Sequence, residues 1–482
     1  MPRSAYLFLL ILTLACDESS VVPDDDAGVD VMDQRLPDMR ADDELGWLVD
    51  VGFDQDAPRE VGLDRDRDAG PVDFLPAFPG AEGYGAITPG GRGGRTYVVT
   101  TLDWDGPGSF SEALFATEPR TIVFAVSGVI EVPTGAGNLD ESNAFVTIAG
   151  ETSPGGITFV GGGATLSAYR GNFHDMIVRH VRFRGRNAYD NISLNTTHNL
   201  IFDHCDFSGG TDEALDITFS HDYTIQWSTV SNSGPTGQLY GTLFAYAPTT
   251  NVSFHHNFSA NHSGRCAPHM HWGNDGPGEG ARVDLVNNVF YNCGRTRVFH
   301  AQNVESATDG TLFLNVVGNT ARPGPDTPLT ENTFFTNLGS WIHLYANDNA
   351  YENDQRFFSR AYHEPTLVDA PHGGGAVFVD SREAGRDLVV DLSGAWPRDP
   401  MGERTANDFR NGTGSVGDVS DPLIESGPQA PVDADQDGMP DEWEEEHGLE
   451  LADPADAAAL TESGYSNLEL YLHGRAEAIL GR

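Results

Sequence analysis

"VSFHHNFSAN" (252–261) and "VDLVNNVFYN" (283–292) are two versions of one pattern: an alternating run, an asparagine, then a second short run closed by another asparagine. "LIFDHCDFSG" (200–209) and "YTIQWSTVSN" (223–232) repeat it with Cys205 and Ser228 in the first asparagine's place, and "LFLNVVGNTA" (312–321) repeats it with Asn319. Cys205, Ser228, Asn257, Asn288 and Asn319 are therefore spaced by 23, 29, 31 and 31 residues. A roughly regular period of this length marks stacked supersecondary units. The units are strands separated by turn residues, with no helices between them, which fits a parallel β-helix best. Three asparagines in register predict an internal ladder, each amide bonding the coil above. A propeller is the rival, but its blades need four strands in about 40 residues, and these coils are shorter.

Outward from this repeat, "RTIVFAVS", "VTIAGE", "ITFVGGG" and "MIVRHVRFRG" extend the strand pattern toward the N-terminus, and "SFSEALFA" (109–116) reads as one short helix. Residues 75–395 are taken as the β-helix, 396–432 as an irregular tail and linker, and 433–482 as a separate small module. Residues 17–74 are acidic and repetitive; they bury too little apolar surface to fold and read as a disordered tether. The first sixteen residues, "MPRSAYLFLLILTLAC", have the charged start and short apolar core of an export signal. Leu14, Ala15 and Cys16 resemble a bacterial lipobox, with Cys16 as the lipidated residue and simple secretion as the alternative. The expectation is an exported protein, on the cell surface or outer membrane as a lipoprotein or otherwise secreted, touching membrane only through that anchor and acting as a monomer.

The chain has 482 residues, no lysine, 28 arginines and a formal net charge of −44. Nucleic acid is excluded as a general partner on charge alone. Cys205, Cys266 and Cys293 remain beyond the leader; an odd count leaves at least one unpaired, and Cys266–Cys293 is one possible bridge.

Asp190 precedes Asp212 by 22 residues and Asp216 by 26, about one coil. Coils stack roughly 4.8 Å apart, so these three carboxylates can converge, and converging hard oxygens suit calcium. A solvated acidic loop is the bland alternative. Just before them, "VRHVRFRGR" alternates Arg182, Arg184 and Arg186 with Val181, Phe183 and Gly185. Period two puts the arginines on one face, where they would hold the carboxylates of a polyanionic chain; arginines merely offsetting the general acidity is the other reading.

With these residues in view, the chain resembles the pectate lyase family, in particular its pectate lyase C type. The likeness covers roughly residues 76–345. It rests on "GGRGGRTYVVTTLDWDGPGSFSEAL" with "PRTIVFAVSGVIEV", on "FDHCDFSGGTDEALDI", and on "FHHNFSANHSGR" with "VNNVFYNCG". The resemblance implies a right-handed parallel β-helix that cleaves polygalacturonate, or pectin, by β-elimination. It implies Asp190, Asp212 and Asp216 as calcium ligands, Glu213 as an assisting ligand, and Arg265, seven residues beyond "HHN", as the catalytic arginine. The family's Arg-x-Pro followed by a second arginine is altered here to Arg265-Cys266-Ala267-Pro268-His269-Met270-His271, with His271 as a substitute substrate contact. The family's common lysine is also missing. In an alternating strand His255 and His256 face opposite ways and do not grip one metal, whereas His269 and His271 share a face; a zinc site there matches no standard spacing. A pectin lyase and a non-catalytic pectin-binding β-helix are the competing functions.

The last module opens with "DADQDGMPDEWE". Asp433, Asp435, Asp437, Asp441 and Glu444 stand at positions 1, 3, 5, 9 and 12 of an EF-hand-like calcium loop, with Gly438 at position 6. No helix is expected before it, which makes it dockerin-like: a structural stop or surface module, with cohesin binding as the alternative.

Overall fold

The computed structural model describes residues 75–482 except 162–163, 186–189, 235–239, 247, 272–277, 295–296, 303–309, 329–332, 337–338 and 353–364. Cys16, the acidic segment and Arg186 lie outside the described residues. Among the described residues the strands form three sheets of eleven, nine and seven strands, here A, B and C. The chain runs A to B to C and back, and each strand pairs in parallel with its counterpart one coil away. This is the parallel β-helix read from the repeat.

The turn from A to B explains the repeat. It places one residue per coil in the left-handed region: His180 at φ 53°, His204 at 49°, Trp227 at 48°, His256 at 53° and Asn287 at 49°. A single left-handed residue reverses the chain tightly enough to keep the next side chain inside. That next side chain is Val181, Cys205, Ser228, Asn257 or Asn288, and Asn319 and Asn349 follow Gly318 at 68° and Asp348 at 48° in the same way. Asn257 Oδ1 accepts from the Ser228 N–H at 2.9 Å, Asn288 Oδ1 from Asn257 N–H at 3.0 Å, and Asn319 Oδ1 from Asn288 N–H at 2.9 Å. Each Nδ2 also donates to a strand carbonyl of the preceding coil, Asn257 to Ile225 and Asn288 to Phe254. The predicted ladder is present, and these bonds run to the coil before. Outside it, the rings of His180, His204, Trp227 and His256 stack at 4.9, 6.0 and 4.5 Å.

Inward columns are apolar: Phe159, Phe183 and Phe207 stack at 5.8 and 5.4 Å. Helix α1 (Phe110–Leu114), capped by Ser109, seals the first coil by seating Phe110 on Phe159 at 4.4 Å. Arg120, fully buried, donates to the carbonyls of Ala113, Leu114, Asn143 and Ala144 and ties that helix to the coil.

The outer faces of A and B are dressed. On A, residues of the N-terminal segment bond Thr224, Gln226 and Ser253. On B lie α2 (Arg382–Leu392) and α3 (Pro400–Asn411). Helix α3 corrects the expected irregular tail: Asp399 caps it, Pro400 opens it, Gly412 at φ 67° closes it, and Met401, Ala406 and Phe409 are buried. Val389, Val390, Ala406 and Phe409 pack on Phe258, Ala260, Val289 and Tyr291 of sheet B. Cys266 and Cys293 form a disulfide, and Cys205 is a buried thiol.

The ladder gives a direct test. Asn288→Ala leaves the buried Asn257 N–H and Phe254 carbonyl without partners, and is expected to destabilise the protein by about 3 kcal/mol. The denaturant midpoint measures it; an unchanged midpoint means that the amides carry no net stability.

Candidate active site

The acids gather at the start of sheet C strands that pair one coil apart. Asp190 lies at the end of the turn into sheet C, and Asp212, Glu213 and Asp216 enter one coil later. Asp190, Asp212 and Glu213 each bring an oxygen within 4.8 Å of the others. Asp190 Oδ1 accepts from the Glu213 N–H at 3.1 Å. Asp216 pairs in register with Ser193, whose hydroxyl reaches Asp216 Oδ2 at 3.5 Å, while Asp216 Oδ1 is buried without a hydrogen-bond partner. Burial pushes Asp190 up to about 7, with Asp212 adding to the shift. Burial, then the neighbouring carboxylates, raises Glu213 and Asp216 well above the usual range. Clustered oxygens that repel one another and leave a buried lone pair unused fit a hard divalent cation. Of the four acids expected from spacing and resemblance, Asp190, Asp212 and Glu213 come within ligand distance of one another, and Asp216 stands near enough to add its charge to theirs.

Arg265 shares their column. Glu213 pairs with Tyr240 on the next coil, and Tyr240 bridges to Arg265 on the coil after that. Two coil spacings put the arginine backbone roughly 10 Å from that of Glu213. The Arg265 side chain is 5% exposed; its Nη1 donates to the Tyr240 hydroxyl at 2.9 Å, and its guanidinium lies 5.2 Å from the Tyr240 ring centre. Tyr240, half-buried, stacks on His269 at 4.3 Å. His269 is held well below the ordinary imidazole range by burial and then by Arg265 and His271. Sequence reasoning missed Tyr240, because nothing in "GQLYGTLF" marks it; only the register against Arg265 does.

His256 and His262 are held within the coils. His256 belongs to the outer stack, with Nε2 on Asp380 at 3.2 Å and Nδ1 3.0 Å from His255. His262 is buried against Ser259 and the Val230 carbonyl. His271 is half-buried on sheet C, its ring 6.2 Å from that of His269. Among the described residues, no group of three metal-ligating side chains includes His255, His256, His269 or His271.

The arginine strip is a correction. Alternation did put Arg182 and Arg184 on one outer face, but that face belongs to sheet B and is covered. Arg184 is paired with Asp206 at 2.6 Å and Asp399 at 2.7 Å, and Arg182 donates to the Pro397 carbonyl. Both are buried and anchor the start of α3 instead of contacting a ligand. Asp399→Ala should remove one of the two carboxylates on buried Arg184 and the cap of α3, and destabilise by about 1–3 kcal/mol, read as a loss of melting temperature; an unchanged melting temperature would mean that Asp399 does not anchor the start of α3.

No protein-family model matches the chain. A probable pectate lyase C from Aspergillus terreus is 32% identical over 434 residues, covering 83% of this chain and 94% of the relative. The probable pectate lyase C of Emericella nidulans is 31% identical over 436 residues, covering 82% and 92%. That of Neosartorya fischeri is 30% identical over 423 residues, covering 83% and 94%. With the acid cluster and the arginine on one sheet, and identity at this level across nearly the whole of these relatives, the chain belongs to the pectate lyase family.

Proposed function

We propose that the protein cleaves polygalacturonate by β-elimination, with calcium held by Asp190, Asp212, Glu213 and Asp216 and with Arg265 as the base. The observation that carries this reading is the column Glu213–Tyr240–Arg265, which sets a guanidinium two coils from the carboxylates clustered on sheet C. Bound calcium would draw the uronate carboxylate toward the acids and make the C5 proton more acidic. Arg265 then takes that proton, the C5–H electrons become the C4–C5 double bond, and the C4–oxygen bond breaks, its oxygen taking a proton from water. Arginine ordinarily titrates above about 12, so a neutral guanidine at pH 7 costs on the order of 7 kcal/mol. Tyr240 accepts from Nη1 and braces the ring side of the guanidinium, fixing where its remaining N–H groups point.

Absorbance of the new double bond is the test. Polygalacturonate should be cleaved with calcium and not with excess chelator; full activity in chelator would instead favour a metal-free, pectin-lyase-like reaction. Arg265→Ala should lower kcat about 10²–10⁴-fold with little change in KM. Near-normal turnover in that variant would remove the arginine from the chemistry. Tyr240→Phe keeps the stack on His269 and loses only the acceptor; about a tenfold fall in kcat with KM unchanged is expected.

The acid cluster also sets a pH dependence. Asp190 is pushed up to about 7 by burial before any cation arrives. Calcium binds the ionised form, so protons compete below that value. Apparent calcium affinity should fall as pH drops from 8 to 6 by roughly the factor the lost ionisation demands, about tenfold per unit for one proton displaced. Titrations that give equal affinity at both values would place the binding elsewhere.

A further inference from the structure

The loop at Asp433–Glu444 lies outside the lyase site, and its surroundings differ from what its spacing suggests. Asp433, Asp435 and Asp437 bring oxygens within 4.8 Å of one another, and Asp437, Glu444 and Asp456 do the same. Asp456 belongs to a short turn beyond helix α4 (Asp441–His447) and stands outside the loop motif. Asp441, the motif's ninth position, is not in either group. Its Oδ1 accepts from the Ala434 N–H at 2.8 Å and holds the loop's entry.

Glu444 is fully buried, and Asp437 is 2% exposed. Both carboxylate oxygens of Glu444 and of Asp435, and one each of Asp437 and Asp456, have no hydrogen-bond partner. Buried acceptors without donors are costly, and like charges gathered round them add repulsion. A hard cation answers both at once, and calcium takes six to eight oxygens in such flexible sets.

The residues next to these ligands form a second core. Met439 and Ala457, with Leu468 and Leu472 of α5 (Asn467–Ile479), pack on Val123 and Ala149 of sheet A, and Val98 joins them. At Gly438, with φ 97°, an added Cβ would stand 3.0 Å from Thr96 and 3.2 Å from Val123, so the loop itself lies against the first strands. Glu469 pairs with Arg92 at 2.7 Å, and Arg475 donates to the Glu151 carbonyl at 3.2 Å. The module expected to be separate is seated on the opening coils.

We propose that Asp433, Asp435, Asp437, Glu444 and Asp456 form a calcium clasp that holds residues 433–482 against the first strands of sheet A. The cation sets the loop and the Asp456 turn in one geometry, and that geometry presents Met439 and Ala457 together to Val123 and Ala149. The clasp is independent of the sheet C acids and of the lyase reading.

Equilibrium dialysis of calcium against the full-length protein, with hydrogen exchange, tests it. Glu444→Gln should bind one calcium fewer per chain, whatever the sheet C acids bind. Asp456→Asn should weaken that ion at least about tenfold, whereas Asp441→Asn should weaken it by less than about threefold. In Glu444→Gln, and in the unaltered protein with chelator, amides of Arg95–Val99 and Arg120–Phe124 should lose protection together with those of Asn467–Ile479. The calcium-dependent rise in melting temperature should shrink in Glu444→Gln by about 2 °C or more. Equal calcium stoichiometry in Glu444→Gln overturns the site. An Asp441→Asn defect as large as that of Asp456→Asn overturns the donor set. Exchange confined to residues 433–482 overturns the clasp and leaves an isolated loop.

Discussion

The protein is organised by one constraint: a backbone that returns to the same place every coil and lays each side chain on its counterpart. A residue in such a column has neighbours set by register, not by chain proximity. Polar columns therefore have to satisfy themselves from coil to coil. The asparagine ladder does so, its amides closing the N–H groups and carbonyls that the turn from A to B would otherwise orphan. Once that turn is fixed, sheet C follows in register, and residues as far apart as Glu213 and Arg265 fall into line.

The same constraint explains why the dressing of the faces matters. Sheets A and B carry outward columns that mix apolar and charged residues, and each is covered by a segment supplying its complement. Asp399 closes on Arg182 and Arg184. Glu151 and Asp203 close on Arg179, over which Phe78 lies at 4.0 Å from the guanidinium. With no lysine in the chain, every such buried cation is arginine, whose several donors reach more than one acceptor at a time. Among the acids of sheet C, burial and the neighbouring carboxylates instead push Glu213 and Asp216 well above the usual range.

What the sequence made legible was whatever depends on spacing within and between coils. Asn257, Asn288 and Asn319 announced the fold, and the spacing of Asp190 and Asp212 announced that those two meet. Arg265 needed the family likeness to be singled out, though its distance along the axis was readable. What stayed hidden depends on which segment covers which face. Alternation correctly sided Arg182 and Arg184, but periodicity carries no information about a helix more than two hundred residues later. Tyr240 was hidden because a tyrosine at the start of a strand is ordinary until its partner across the bridge is known. Asp456 was hidden for a similar reason: it joins a loop motif from outside the motif, through a fold of the chain that no local pattern records.

The seating of the last helix on the first strands has a bearing on how the molecule is made. A polypeptide emerges with its amino end first, and each new coil can stack on the one before it as soon as it appears. Val98, Val123 and Ala149 are different, since Leu468 and Leu472 cover them. Until those two leucines have been made and seated, these outward residues stay wet, so an early part of the structure is completed late. A premature stop would do more than shorten such a chain; it would uncover the opposite end of the sequence.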